Sequence, residues 1–165
     1  MIFRYLAALI VAVLLWSGTT PAWAQAVLYP PPLSYTGADL RGEDFSGQNL
    51  QSAEFVNANL PQTNFNGANL RGAIFSGVAM PQANLHGADL TYAMIDQANL
   101  TGADLSDAVF TESILLRTIL DETDITNADF SDALLDGVQI RELCQRASGV
   151  NSQTGIATRE SLGCR

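Results

Sequence analysis

The chain has 165 residues, of which 47% are hydrophobic and 15% charged, with 17 acidic side chains against eight basic ones and a formal charge of −9. All eight basic residues are Arg, and so acidic a chain without clustered Lys and Arg argues against nucleic-acid binding, which needs those cations to displace phosphate counterions. The length bounds one domain, and the acidity suits a cationic partner or plain solubility.

The first 24 residues read as an export signal rather than as part of the fold. Arg4 gives a positive n-region, Tyr5 to Trp16 is an unbroken apolar h-region, and Ser17 to Pro21 ends it before Ala22-Trp23-Ala24, a small-residue cleavage pattern. The apolar run is about 12 residues, shorter than the ~20 that span a bilayer, so no stable anchor is expected after cleavage. Gln25 at the cut offers no Cys for a lipid, and the processed chain would carry 17 acids against seven Arg. Residues 25–36 follow as a Pro-rich lead-in, Tyr29-Pro-Pro-Pro32-Leu-Ser-Tyr35, which cannot extend a sheet and is expected to lie across the start of the fold.

From 37 to 140 a five-residue register takes over. Position 40 is Leu, 45 Phe, 50 Leu, 55 Phe, and every fifth residue onward to Ile140 is Leu, Phe, Met or Ile. Two residues before each stands a small one, usually Ala, with Glu43 and Gln48 as departures; Asn or Asp often fills the place between. A step of five turns 140° on an α-helix and scatters the apolar residues over every face. On a straight strand it alternates sides. The register can be buried only if the chain bends once per repeat, and Gly, Asn, Asp and Ser at the other positions permit such bends.

The pattern in Ala38-Asp-Leu40-Arg-Gly42, Ala68-Asn-Leu70-Arg-Gly72, Ala88-Asp-Leu90 and Ala103-Asp-Leu105 resembles the pentapeptide-repeat family over about residues 36–142. The resemblance implies an all-β solenoid, a right-handed quadrilateral β-helix of about five coils of twenty residues. On a twenty-residue coil Phe45 and Phe65, Phe55 and Phe75, and Phe110 and Phe130 should stack.

Residues 141–165 read as a helical cap. Ile140, Leu143, Cys144 and Ala147 fall on one helical face, Asn151 to Thr158 is a loop, and Thr158 to Leu162 is a second helical turn. Cys144 and Cys164 are the only cysteines, and in an exported chain an even count reads as a disulfide, two free thiols being the alternative. The stretches Ala147 to Gly155 and Thr158 to Cys164 are similar to the tails of pentapeptide-repeat proteins of the thylakoid lumen. That second resemblance implies a cyanobacterial source and the thylakoid lumen, with the periplasm next.

Ingredients of catalysis are sparse, and no enzyme, cofactor or metal site is expected. His86 is the only histidine, and no nucleophile elbow or phosphate-cradling loop is present. The acids thicken between Asp96 and Asp136, where weak Ca²⁺ capture or carboxylate-pair chemistry is the lesser reading. Their interchange with Asn before the core residue points instead to hydrogen bonding with turn backbone. The most informative outward feature is apolar: before the core residues at 75, 95, 115 and 135 stand Ile74, Met94, Ile114 and Leu134, with Val56 and Leu116 beside them. At twenty-residue spacing these form one column, a surface for a partner protein, a second copy or the chain's own tail. The expectation is therefore an exported structural or protein-interaction module. An acidic DNA mimic acting on a topoisomerase, as in the family's quinolone-resistance branch, is the alternative, and the export signal opposes it.

Overall fold

The computed structural model describes residues 32–165, and the predicted export signal and most of the Pro-rich lead-in lie outside them. Every fifth residue from Ser34 to Leu134 forms parallel bridges with the residues twenty places away. These bridges fall into four columns. Wall one carries 34, 54, 74, 94, 114 and 134; wall two carries 39, 59, 79, 99 and 119; wall three carries 44, 64, 84, 104 and 124; wall four carries 49, 69, 89, 109 and 129. One coil therefore takes twenty residues and has four sides.

The bend between walls is a β-turn that starts at each core residue. Ala38 N–H donates to Tyr35 C=O at 3.0 Å, and the same bond recurs as Ala58 to Phe55, Ala88 to Leu85 and Ala128 to Ile125. The third residue of the turn has positive φ at every step from Gly37 to Asp132. Eight of these residues are Gly and twelve are not, including Tyr92 (φ 62°) and Arg117 (φ 61°). A turn of this kind requires φ > 0 there, which is why Gly, Asn and Asp recur at this place. Along the rod the turn N–H groups from Gly37 to Glu112 also pair with the next coil, as Gly47 with Asn66 C=O at 2.8 Å.

Inside the tube the predicted side chains meet. Leu50, Phe55, Leu60, Phe65, Leu70, Phe75 and their successors to Phe130 are buried, together with the Ala residues two places before them. The expected stacks are present: Phe45 on Phe65 at 5.3 Å, Phe55 on Phe75 at 4.8 Å, and Phe110 on Phe130 at 5.0 Å. Where Ala gives way to a hydroxyl, the oxygen is satisfied locally: Thr63, Ser113 and Thr123 donate to the carbonyls of Leu60, Phe110 and Leu120 at 2.7–2.8 Å.

Both ends of the register differ from the sequence reading. At the start, Ser34 already bridges Glu54 and Tyr35 stacks on Phe55 at 4.9 Å, so the comb begins at Tyr35 rather than at Leu40. The prolines do not prevent this, because the first coil needs pairing on one side only. At the finish, helix α1 (Gly137–Arg146) begins three residues ahead of the expected boundary at 140, and Ile140 belongs to it rather than to the comb. The cause is a capping box. Asp136 accepts from the Val138 and Gln139 N–H groups while the Gln139 amide accepts from the Asp136 N–H.

Helix α1 closes the last coil. Gln139 Nε2 donates to Leu115 and Thr118 C=O at 2.8 Å, and at Thr118 it replaces the backbone N–H that a further coil would have supplied, as Ile119 does for Ala98 C=O. Arg146 Nη2 donates to Leu120 C=O at 2.6 Å and to Thr123 Oγ1 at 2.9 Å. Cys144 and Cys164 are joined by a disulfide, which ties helix α2 (Thr158–Ser161) to α1, and Ser161 Oγ accepts the Phe130 N–H at 2.9 Å.

Candidate interaction surface

Outward chemistry on three walls is dominated by Asn and Asp, and their geometry gives them a structural task. Most of the side-chain oxygens accept the N–H two residues on, inside the turn: Asn64 from Asn66 at 3.1 Å, Asp89 from Thr91 at 3.0 Å, Asp104 from Ser106 and Asp124 from Thr126 at 2.9 Å. Amides also bridge coils, Asn59 to Asp39, Asn64 to Asp44 and Asn69 to Asn49, all at 2.9 Å. These bonds depress several carboxyl pKa values. Asp44 is held below its ordinary value by the N–H and hydroxyl of Ser46, and Asp124 by those of Thr126. Asp96 is lowered first by the Ser76 hydroxyl. Burial pushes Asp89 up, but hydrogen bonds from Thr91 and Arg71 together outweigh it and the net direction is down. Carboxylates stabilised in their charged form are turn caps and poor proton shuttles. Among the described residues no three His, Cys, Asp or Glu side chains converge as a metal-binding group.

His86 does find partners that the sequence did not suggest. Its Nδ1 lies 2.8 Å from Ser106 Oγ, which donates to Asp104 at 2.5 Å. The order is wrong for a hydrolytic triad, in which the imidazole stands between hydroxyl and carboxylate. Here the hydroxyl proton goes to Asp104 and the exposed imidazole is a spectator.

Wall one is different. Its bridges place Ile74, Met94, Ile114 and Leu134 in one column, with Ser34 and Glu54 above them. Met94 is 40% exposed and Leu134 54%, while Leu116, on the corner that follows, is 38% exposed; Val56, Ile74 and Ile114 are half-buried. None of the four column residues has an acceptor for the turn N–H two places on, so the Asx bond of the other walls is forgone here. Apart from Glu54, the charge beside this column lies on the two flanking corners. One has Asp96, Arg117 and Asp136; the other has Arg71, Glu112 and Asp132, with Arg71 held by Asp89 at 3.0 Å and lying over the Tyr92 ring at 5.7 Å.

The chain's own tail does not cover wall one, which removes one of the three expected occupants. It runs instead along the corner between walls three and four. Asn151, 1% exposed, donates to the carbonyls of Asp107, Ala108 and Asn127, and accepts from the N–H groups of Gln153 and Thr154. Ser152 N–H donates to Asp107 at 2.7 Å, and Gln153 Nε2 reaches Gly87 C=O at 3.0 Å. Residues 150–153 are thus a strap that climbs past three successive turns. Nothing in their spacing announced it, because the partners lie 23 to 66 residues away.

The pentapeptide-repeats family matches this chain in eight copies over residues 36–67, 68–107 and 103–139. The chain belongs to the pentapeptide-repeat family. Members of the family fold as right-handed quadrilateral β-helices, which agrees with the four columns described above. A solved structure similar to this pentapeptide-repeat protein is that of a thylakoid-lumen pentapeptide-repeat protein from Arabidopsis thaliana. It is 41% identical over 79% of this chain and 90% of the other, with a TM-score of 0.78. Rfr23 from the cyanobacterium Cyanothece 51142 matches at 21% identity, over 63% of this chain and 88% of its own, with a TM-score of 0.46. QnrB1, a plasmid-mediated fluoroquinolone resistance protein, matches at 20% identity over 70% and 83%, with a TM-score of 0.29. No curated protein matches significantly.

Proposed function

We propose that this chain is an exported, non-catalytic interaction module of the thylakoid lumen or periplasm, and that wall one is its contact surface. The exposed column of Ile74, Met94, Ile114 and Leu134 carries the reading. A chain that caps its turns with Asn and Asp on the other walls has given up those caps on one wall in favour of side chains that gain free energy only when covered. Helix α1 and the strap use different surfaces, so among the described residues none of the chain's own tail covers the column. Compartment is supported by the Arabidopsis thylakoid-lumen protein, which is similar over most of both chains, and by the signal-like pattern of residues 1–24.

Fractionation of the native source and a wall variant test the two halves of the proposal together. The protein is expected in the lumenal or periplasmic fraction with its N-terminus at Gln25, and Met94→Asp/Ile114→Asp is expected to lose its co-purifying protein while retaining its circular dichroism and melting temperature. Recovery in the cytosol with residues 1–24 intact would remove the compartment. An unchanged set of bound proteins and unchanged self-association in the double variant would remove the surface.

A further inference from the structure

We propose that the occupant of wall one is wall one of a second copy, with the two rods antiparallel about a two-fold axis between the Met94 and Ile114 rungs. The inference rests on wall one being a contact surface, and it names the partner.

A two-fold axis lying in the contact plane and across the rod reverses the order of the rungs. It also keeps each corner facing the same corner of the other copy. Met94 then meets the partner's Ile114, and Ile74 meets the partner's Leu134, so apolar rungs cover apolar rungs throughout. Ser34 and Glu54 fall beyond the partner's last rung and stay in water, which places the polar part of the column outside the overlap.

The flanking corners select this arrangement. On the corner after wall one, Asp96 lies level with the partner's Arg117. On the corner before it, Arg71 lies level with the partner's Asp132 and Tyr92 with the partner's Glu112. Each match occurs twice by symmetry, and no like charges face each other among these residues. The parallel alternative, with the axis along the rods, sets one corner against the other at equal height. Asp136 then faces the partner's Asp132, Arg71 faces the partner's Ser76 without an acidic partner, and of the opposite charges only Arg117 and the partner's Glu112 meet. Pairs of this exposed kind set register and orientation more than affinity. Like charge against like charge rejects the wrong pairing.

Four rungs about 4.8 Å apart form a contact narrower than a standard interface of about 800 Å² per partner. The dimer is therefore concentration-dependent, with a dissociation constant on the order of 10–100 μM. Sedimentation equilibrium of the purified chain across that range should show monomer and dimer. Arg117→Asp puts acid against acid at both symmetric sites and should weaken the dimer about ten-fold. Adding Asp96→Arg to the same chain should restore it. Arg117 stands at an exposed turn position with positive φ, which Asp tolerates better than Arg, so the variant will fold. Mixing an Ile74→Cys chain with a Leu134→Cys chain should give a disulfide-linked dimer that neither gives alone. A monomer at all concentrations, a dimer indifferent to Arg117→Asp, or an Ile74→Cys chain that cross-links to itself would each overturn the proposal. If the wild type stays monomeric while Met94→Asp/Ile114→Asp loses a different protein, self-pairing fails and wall one stands as a contact surface. If neither is seen, both readings fall.

Discussion

At the scale of single residues, the turn is the unit that repeats, and its third position is the place where sequence and geometry compete most directly. A left-handed backbone costs a side-chain-bearing residue on the order of 1 kcal/mol, and twelve of the twenty turns accept that cost. Glu122, exposed at φ 57° and outside any side-chain hydrogen bond, is a clean test. Glu122→Gly should raise the unfolding free energy by about 0.5 kcal/mol, the relieved strain exceeding the added chain entropy. Gly87→Ala, whose new methyl would meet no atom, should lower it by about 1 kcal/mol. Opposite shifts in urea midpoints, the loss in Gly87→Ala about twice the gain in Glu122→Gly, would agree with this; no shift in either would mean that the turns carry no such strain.

The Asx caps have a titration consequence at the same scale. Asp44, Asp89, Asp96 and Asp124 all have folded-state pKa values below the ordinary carboxylate value. A depressed folded pKa contributes stability that is complete above the unfolded pKa, near 3.9, and is lost as pH falls through the folded one. Melting temperature should be level above about pH 5 and decline below about pH 4. Asp124→Asn, which keeps an acceptor for the Thr126 N–H, should be close to wild type at neutral pH and lose less on acidification. A decline as steep as that of the wild type would locate the acid sensitivity elsewhere.

At the scale of elements, the solenoid was legible in the sequence and its edges were not. The comb could be read because a five-residue period fits no helix or strand and leaves only a coil bent at every repeat. The Asx role could be read because Asn and Asp exchange freely at one position. Tyr35 was hidden by the prolines before it. Ile140 was misleading because it fits the comb by chance, while the cap that overrides it, Asp136 with Gln139, is a helix signal written across the repeat. The strap was beyond reach, since a buried Asn151 is defined by carbonyls on distant turns. The disulfide and Gly149 hold that tail. Replacing both cysteines by Ser should cost about 3 kcal/mol through loop-closure entropy over a twenty-residue separation. Gly149 has φ 82°, and a methyl there would stand 1.8 Å from Asn127 Oδ1. Gly149→Ala should therefore speed hydrogen exchange at Asn127 and Val150 while the coil spectrum is unchanged; unaltered protection at both amides would show that the tail seats itself by other means.

At the scale of the whole molecule, each coil is supported only by the coils on either side, so damage spreads along the rod by contact. Leu90 is 1% exposed at the middle of the stack, and Leu90→Asp would bury a carboxylate with no partner. Its own coil and both neighbours should open, a loss of several kcal/mol visible as new protease cleavage between about 70 and 110. Cleavage confined to one coil would mean that the coils are more independent than their bridges suggest.

The twenty-residue winding also restricts how the gene can change length. Losing or gaining one repeat of five preserves every turn and every buried side chain, yet it rotates all later residues by a quarter of a revolution. Ile114 and Leu134 would move to a neighbouring side, away from Ile74 and Met94, and the carbonyls that hold Asn151 would no longer line up. Tolerated insertions should thus be counted in fives by the interior and in twenties by the exterior, and a lineage that drifts by single repeats would keep its shape while erasing its apolar stripe.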